Sequence, residues 1–315
     1  MSVTLQIMAE LLFAPEYDQP ISYIQRTRSY YLALGYEKPY VWAHYTDVPF
    51  APLQKPLQNS VIGLITTAVP FNPLKGDQGS GAAYNASAKF YEPYTLLSDG
   101  DPDLRIAHVG IDRQHANMVE MACWFPLEVA RQALDRGRIG RLAKHFYGLP
   151  TNRSQRHTLE IDAPLILANC IADAVDIAIL IPNCPICHQS IALLARYLEE
   201  AGIPTVIVGA AKDIIEYCGV PRFVFNDFPL GNAAGRPGDP KSQNAIFELA
   251  LKLLEQAPGP RATIQTEFLW SHDPRWKLDY MNIERLSNQE LVKLRLEAEA
   301  ARLTAKEIRL NTVGK

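Results

Sequence analysis

Long hydrophobic runs are missing from this sequence. No stretch of about 18 consecutive apolar residues occurs, so a membrane-spanning helix is not expected. Basic charge is not in excess either. Lys and Arg number 31 against 34 Asp and Glu, for a formal net charge of -3. A chain without a cationic footprint is not expected to hold nucleic acid through its phosphates. Neither Gly-x-Gly-x-x-Gly nor the phosphate-loop pattern is present, so no bound nucleotide cofactor is expected. The first ten residues lack the basic start and apolar stretch of an export signal, which places the protein in the cytoplasm as an expectation. Cysteine is scarce, with five residues at Cys123, Cys170, Cys184, Cys187 and Cys218. In the cytoplasm these are expected to be reduced at rest, any disulfide being transient.

What is present is an ordinary globular composition, 48% hydrophobic and 21% charged over 315 residues. That is enough for one large or two modest domains. Residues 1–60 read as an arm rich in aromatics and proline, laid over a neighbouring surface. Apolar runs at 61–67, 106–111, 176–181 and 204–208 read as strands. Helices are expected at 127–135, 164–174, 189–201, 211–218 and 243–254. From residue 176 onward strand and helix alternate, the pattern of parallel βαβ units. The expected fold is therefore α/β, a mainly parallel, Rossmann-like sheet with helices on both faces. It occupies residues 61–257 and is followed by an extension over 258–315. Ser287 and Glu290 form a capping box. Beyond it Leu291, Leu294, Ala298, Ala301, Ala305 and Ile308 repeat at steps of three and four. Such a stripe either docks the last helix on its own domain or joins two copies of the chain.

The run Pro182-Asn183-Cys184-Pro185-Ile186-Cys187-His188 stands between an expected strand and an expected helix. With Cys184 as N-cap and Pro185 at the first helical position, Cys187 falls one turn on. Both thiols then face the positive end of a helix, which favours a thiolate near neutral pH. In an open α/β sheet this is also the edge where ligands bind. Covalent haem attachment uses the same pattern but needs an oxidising compartment. A zinc or iron site at Cys184 and Cys187, with His188, would need further ligands, and the other three cysteines form no second pair. Thiol redox or nucleophilic chemistry and a purely structural pair of buried thiols complete the alternatives.

The segment Cys184-Pro185-Ile186-Cys187-His188, with Ala201-Gly202-Ile203-Pro204 behind it, resembles the B components of glycine, sarcosine and betaine reductases and of D-proline reductase. Gly219-Val220-Pro221-Arg222, Phe228-Pro229-Leu230-Gly231-Asn232 and His108-Val109-Gly110-Ile111-Asp112, with Asn117 and Phe125-Pro126, extend the resemblance over roughly residues 60–257. It implies reductive cleavage. In that family a selenol attacks carbon alpha to an activated carboxyl and displaces an amine, and a neighbouring cysteine resolves the adduct. Cys184 takes the selenocysteine position and Cys187 the resolving one. The family also relies on a pyruvoyl-bearing partner subunit, which this chain does not supply.

Around the thiols, His108, Asp112 and His115 cluster beyond the strand expected at 106–111. Histidine there can pass a proton to a leaving group, or it can be a core residue. Asp112 can equally be a turn former. His188 can pair with a thiolate or point away from it. In the polar run 151–156, Arg153 or Arg156 can clamp a carboxylate or stay solvated. Asn117, Asn152, Arg153, Ser154, Phe228 and Asn232 are the candidate substrate-binding residues. The leading expectation is a thiol-dependent reductase of a small organic substrate, with an external thiol or thioredoxin-type protein as reductant and no bound cofactor. A cysteine-dependent isomerase, racemase or lyase, and a metal-binding or non-catalytic subunit, are the alternatives. The expected partners are the substrate, a redox protein and a second copy through the last helix.

Overall fold

Short, fully buried strands build the centre of this fold. The computed structural model of the chain describes residues 19–79, 82, 84–106 and 108–313. In chain order the strands are β1 (Val61–Thr66), β2 (Val69–Pro70), β3 (Tyr94–Leu97), β4 (Leu104–Arg105), β5 (Arg141–Leu142), β6 (His145–Gly148), β7 (Ile177–Ile181), β8 (Thr205–Gly209), β9 (Arg222–Phe225) and β10 (Ala262–Gln265). The main sheet runs β10-β9-β8-β7-β1-β6-β3, with β5 also pairing β1. All of its pairings are parallel except that of β3 with β6. β2 and β4 form a separate antiparallel pair. The fold is thus mixed α/β around a mainly parallel sheet, with no closed barrel.

β1, β7, β8 and β9 are buried along their whole length, as strands covered on both sides must be. The strand order also locates the site. From β1 the chain goes to β5 and β6 on one side, then crosses to β7 on the other and continues outward through β8, β9 and β10. The order therefore reverses around β1, and the crevice beyond the carboxyl ends of β6, β1 and β7 lies at that switch point.

The helices are α1 (Tyr23–Ala33), α2 (Leu127–Asp135), α3 (Ala163–Ala172), α4 (Pro185–Glu200), α5 (Lys212–Cys218), α6 (Pro240–Gln256) and α7 (Asn288–Val313). α4 packs on β7 and β8, and α6 on β8 and β9. α4 starts four residues earlier than its apolar periodicity indicates, because its first turn is made by the thiol segment itself. It ends where Gly202 takes φ +86, a conformation that costs other residues but not glycine. Buried Leu194 and Leu198 tie it into the core, each contributing about 1.5–3 kcal/mol by leaving water.

Residues 43–51 run over α4. The Ala43 N–H donates to Gln189 Oε1 at 2.7 Å, and Arg196 donates to the Asp47 carbonyl at 2.7 Å. Deeper in, Arg222 Nη1 meets Glu199 Oε1 at 2.9 Å, both side chains being almost sealed from solvent. Glu199 also accepts from Ala51 N and from Thr205 Oγ1, and Arg222 donates to Ala51 O.

Several expectations need correction. Residues 106–111 are not a strand. The chain there turns back on itself, with Ile111 N–H donating to His108 O and Arg113 donating to the carbonyls of His108 and Val109. Gly110 and Asp112 punctuate the run, and the extended piece is the short β4 before it. The helix expected from 164 begins upstream, where a helical turn over Gln155–His157 passes through a π-type turn, Thr158–Asp162, into α3. β5, β6, β9 and β10 are too short to have announced themselves.

Two compact units divide the described chain. Residues 42–268 form the α/β unit, and residues 19–41 with 269–313 form the other. In the second unit Tyr23 and Tyr280 meet edge to face, with ring centroids 5.1 Å apart. The capping box at Ser287 is present in both directions: Glu290 N donates to Ser287 Oγ, and Ser287 N donates to Glu290 Oε2 at 2.8 Å. Along α7, Leu291, Leu294, Ala298 and Ala301 are half-buried, and Arg295 donates to Ala33 O at 2.7 Å. The first eighteen residues of the expected arm lie outside the described residues. Among the described residues no helix is long and apolar enough to cross a membrane.

Candidate functional site

The register of β1 against β7 sets Thr66 opposite Ile181, so the residues that follow each strand emerge side by side. Asn183 donates its N–H to Thr67 Oγ1 at 3.2 Å and its Nδ2 to the same oxygen at 3.3 Å. Cys184 then takes extended backbone angles, and its Sγ accepts the Cys187 N–H at 3.2 Å. This is the N-cap geometry expected from the sequence, with sulfur in place of the usual oxygen. Pro185 at the first helical position needs no partner for its nitrogen.

Both thiols are buried, Cys184 at 3% exposure and Cys187 at 0%, and both are unbridged. The two sulfurs are hydrogen-bonded to each other, but their surroundings differ. Burial raises the Cys184 thiol, and its hydrogen bond to Cys187 raises it further, leaving it well above an ordinary thiol. Burial also works against a charge on Cys187. There it is outweighed by the neighbouring Cys184 thiol, by the charge of His108 and by the nearby Thr67 hydroxyl. Cys187 is held well below an ordinary thiol. The two thiols therefore titrate as one coupled pair, with charge disfavoured at Cys184 and favoured at Cys187.

His108 is the residue that faces Cys187 from outside the helix. It is 7% exposed, and neither ring nitrogen has a hydrogen-bond partner among the described residues. The Oδ1 of Asn183, also buried, is a second polar atom without a partner there. Polar groups left open inside a protein are costly, and they mark places where a ligand or water completes the bonding.

His188 has a different position from the one a thiolate partner would take. Its Nδ1 lies 2.7 Å from Cys184 O, and its Nε2 accepts the N–H groups of Ala210 at 3.0 Å and Ala211 at 3.1 Å. An acceptor Nε2 makes this the neutral ring with its proton on Nδ1. Burial lowers its pKa to about 4, which keeps it neutral. His188 positions: it ties the thiol turn to the loop after β8. Gly209 is fitted against it, since a Cβ there would lie 3.0 Å from His188 Nε2.

The other candidates sort by what their polar atoms touch. Asp112 Oδ1 accepts from the N–H groups of Gln114 and His115, making a turn. Asn117 and Asn232 clasp each other: Asn117 N donates to Asn232 Oδ1 at 2.7 Å, and Asn232 Nδ2 donates to Asn117 O at 3.0 Å. Asn117 Oδ1 caps Val119 and Glu120. Phe228 is sealed in the core. Gly231, at φ +113, packs where a Cβ would approach Ala116, Ile111 and Ile106 within 3.3 Å. These residues hold the 228–232 loop against the 108–117 turn, which carries His108.

Asn152 donates to Tyr91 O and to Asp162 Oδ2, and Ser154 caps the short helix after it by accepting from His157 N. Arg153, between them, is exposed and takes φ +57, an uncommon conformation for a residue with a side chain. Its charge acts on Cys184, lowering that thiol's tendency to stay protonated. The structure therefore sets Cys184 and Cys187 side by side, near enough to His108 and Arg153 for their charges to act on them. Asp112, Asn117, Asn152, Ser154 and Asn232 make structural hydrogen bonds, and Phe228 is sealed in the core.

Sequence reasoning missed Thr67 and Asn183. The available signal was slight: a polar residue directly after a strand whose partner strand ends at the thiols. Among the described residues no group of three or more His, Cys, Asp or Glu side chains is placed to hold a metal.

Comparison with known proteins finds relatives over the same region. The chain is similar to the D-proline reductase subunit gamma of Acetoanaerobium sticklandii, 29% identical over 210 residues, which is 66% of this chain and 84% of that subunit. It is also similar to the glycine reductase complex component B subunit gamma of Carboxydothermus hydrogenoformans, 28% identical over 213 residues, 66% of this chain and 48% of that one. A third relative is the sarcosine reductase complex component B subunit beta of Peptoclostridium acidaminophilum, 25% identical over 237 residues, 70% of this chain and 51% of that one. The chain spans about half the length of the glycine and sarcosine reductase subunits it matches. No family model and no solved structure matches it.

Proposed function

We infer that this chain is the thiol-bearing subunit of a reductase that acts on a small, carboxylate-bearing substrate. The observation that carries the reading is a pair of buried, unbridged thiols at the N-terminus of α4, with Cys184 Sγ accepting the Cys187 N–H, in a chain similar to subunits of three reductases. In the resting pair Cys184 is the thiol and Cys187 the thiolate. Cys184 Sγ attacks the substrate carbon and displaces the leaving group with its bonding electrons. Its proton passes to Cys187. Cys187 then attacks Cys184 Sγ, the carbon–sulfur bond breaks, and the carbon keeps the electron pair and takes the proton Cys187 held. The products are a Cys184–Cys187 disulfide and a substrate in which hydrogen replaces the leaving group. An external dithiol, small or carried on a thioredoxin-type protein, returns the disulfide to the resting pair.

Each neighbouring group has a task in this scheme. The helix N-terminus and the Cys187 N–H stabilise charge at Cys184 during attack. His108, with its open ring nitrogens, is placed to relay the proton to the departing group or the product carbon. Arg153 supplies positive charge for a substrate carboxylate. The names of the relatives make D-proline, glycine and sarcosine the first substrates to try, in the presence of the partner subunits that those complexes contain.

The test is a trapped adduct. In Cys187→Ser the first step runs and the second cannot, so Cys184 is expected to retain the mass of the substrate minus its leaving group. The wild type is expected to form the Cys184–Cys187 disulfide, in proportion to substrate. Both are read by peptide mass mapping of the complex isolated from its source. If neither species forms with any of the three substrates, the reading is lost.

A further inference from the structure

The last helix carries more apolar surface than its own unit covers. Leu291, Leu294, Ala298 and Ala301 are half-buried, and Arg295 of the same helix donates to Ala33 O at 2.7 Å. Val292, Leu296 and Leu303 take no part in that packing and are 54%, 69% and 53% exposed. At about 100° per residue, they lie on a face roughly 140° around α7 from the half-buried row. One exposed leucine needs no explanation, but an ordered row of apolar side chains marks an interaction surface.

The row is regular. Val292, Leu296, Glu299, Leu303 and Lys306 follow one another at steps of four, three, four and three, and in the sequence Leu310 and Val313 fall at the next two positions. A seven-residue period of this kind keeps one stripe of a helix facing a single partner helix along its length. The stripe has two charged members, Glu299 and Lys306, both exposed and one period apart. Beside it, Arg302 meets Glu299 in its own helix, and Lys293 meets Glu297 at 3.9 Å.

We propose that this row joins α7 to the α7 of a second copy of the chain, with the two helices antiparallel. Charge decides both the partner and the direction. In a parallel pair in register, Glu299 meets Glu299 and Lys306 meets Lys306, two like-charge contacts inside an apolar seam. With one helix reversed, Leu303 of each copy lies close to the two-fold axis, and Glu299 of each lies within about one turn of Lys306 of the other. The row is thus its own complement, which is the condition a two-fold interface sets. Charged positions in such a seam cost stability and select register and orientation. The inference makes no use of the thiols and stands apart from the reading of their chemistry.

The measurement is sedimentation equilibrium of the purified full chain over a wide range of concentration. The wild type is expected to reach twice the 35.2 kDa of one chain. Leu303→Asp is expected to leave a monomer throughout. Leu296→Lys is expected to do the same, and both changes fall at exposed positions, where the fold of the single chain does not depend on leucine. Glu299→Lys and Lys306→Glu each set like charges against each other across the antiparallel pair, and each is expected to raise the dissociation constant about ten- to a hundredfold. The double variant, Glu299→Lys with Lys306→Glu, restores both contacts in the opposite sense and is expected to return the constant to near the wild-type value.

A wild-type chain that stays monomeric at every concentration overturns the inference. A dimer that survives both Leu303→Asp and Leu296→Lys does so too, because its interface then lies elsewhere on the molecule. A double variant no tighter than the single ones overturns the antiparallel direction, since in a parallel pair the like-charge contacts persist whichever sign they carry. None of these results touches the adduct experiment on Cys184 and Cys187, so the two readings fail separately.

Discussion

At the scale of single residues, the recurring theme is a side chain whose hydrogen-bonding capacity is fully assigned. His188 is the clearest case. Its two ring nitrogens join the Cys184 carbonyl to the N–H groups of Ala210 and Ala211, and they do so only as the neutral Nδ1–H form. Protonation at Nε2 would set a donor against two donors. Its pKa falls from 6.5 to about 4 in the folded state, by burial. The sign follows directly. Below the unfolded value the unfolded chain takes up a proton that the folded chain refuses, so stability is lost as pH falls from about 6.5 to about 4 and changes little from this group below that. The loss is about 3 kcal/mol. Urea unfolding of wild type and of His188→Gln at pH values across that window checks it. The variant is expected to start less stable and to show a shallower acid decline, and parallel declines would exclude His188 as the source.

The same residue scale shows where reading the sequence alone reached and where it stopped. That Cys184 caps a helix with Cys187 one turn on was legible, because N-cap and proline rules act over three or four residues. That Thr67 binds Asn183 beside the thiols was not, because Thr67 is 116 residues from Asn183 along the chain and reaches it only through the sheet. His188, next to Cys187, could pair with a thiolate or point away; one step along a helix turns a side chain by about 100°, and this one faces the loop after β8.

At the scale of elements, α4 and the strands beneath it are held by a buried charge. Arg222 begins β9, Glu199 lies near the end of α4, and Ala51 bonds to both of them. The ring of Phe50 lies 4.0 Å from the Arg222 guanidinium, closing the pair from above. Burial raises the Glu199 carboxyl and lowers the Arg222 guanidinium, each partly offset by the other. Removing one member leaves the other buried and alone, so Arg222→Met is expected to cost about 3–5 kcal/mol, measured by chemical denaturation. The double variant Arg222→Met with Glu199→Leu is expected to recover much of that loss. A double variant no better than the single one would mean that the bonds to Ala51 and Thr205, rather than the charge, hold the elements together. The sequence marked α4, β7 and β8 through plain apolar periodicity. It did not mark β9 or β10, whose four residues each become strands because a neighbouring edge supplies their hydrogen bonds.

At the scale of the whole molecule, every residue of the candidate site belongs to the unit 42–268, while the two chain ends make a unit of their own. In that second unit Tyr280 and Tyr23 are both buried and pack edge to face. Tyr280→Ala is expected to destabilise it by about 3–5 kcal/mol and to leave the thiolate titration of the pair at its wild-type midpoint. Thermal unfolding and the titration are measured on the same preparation. A displaced midpoint would show that the ends of the chain help set the chemistry of the thiols.

The sequence by itself determined the α/β class, the thiol turn with its proline and cap, the capping box of the last helix and the resemblance to reductase subunits. Each of these is written in neighbouring residues or in a short period, where backbone geometry leaves few choices. Only the tertiary structure decided that the chain around His108 turns rather than extends, that Asn117 and Asn232 clasp each other, and that His188 faces the loop after β8. Those outcomes depend on which groups burial brings together across the sheet, and on the requirement that each polar atom removed from water find a partner there. That requirement is met by contacts in space, whose members carry no mark of one another in the order of the chain.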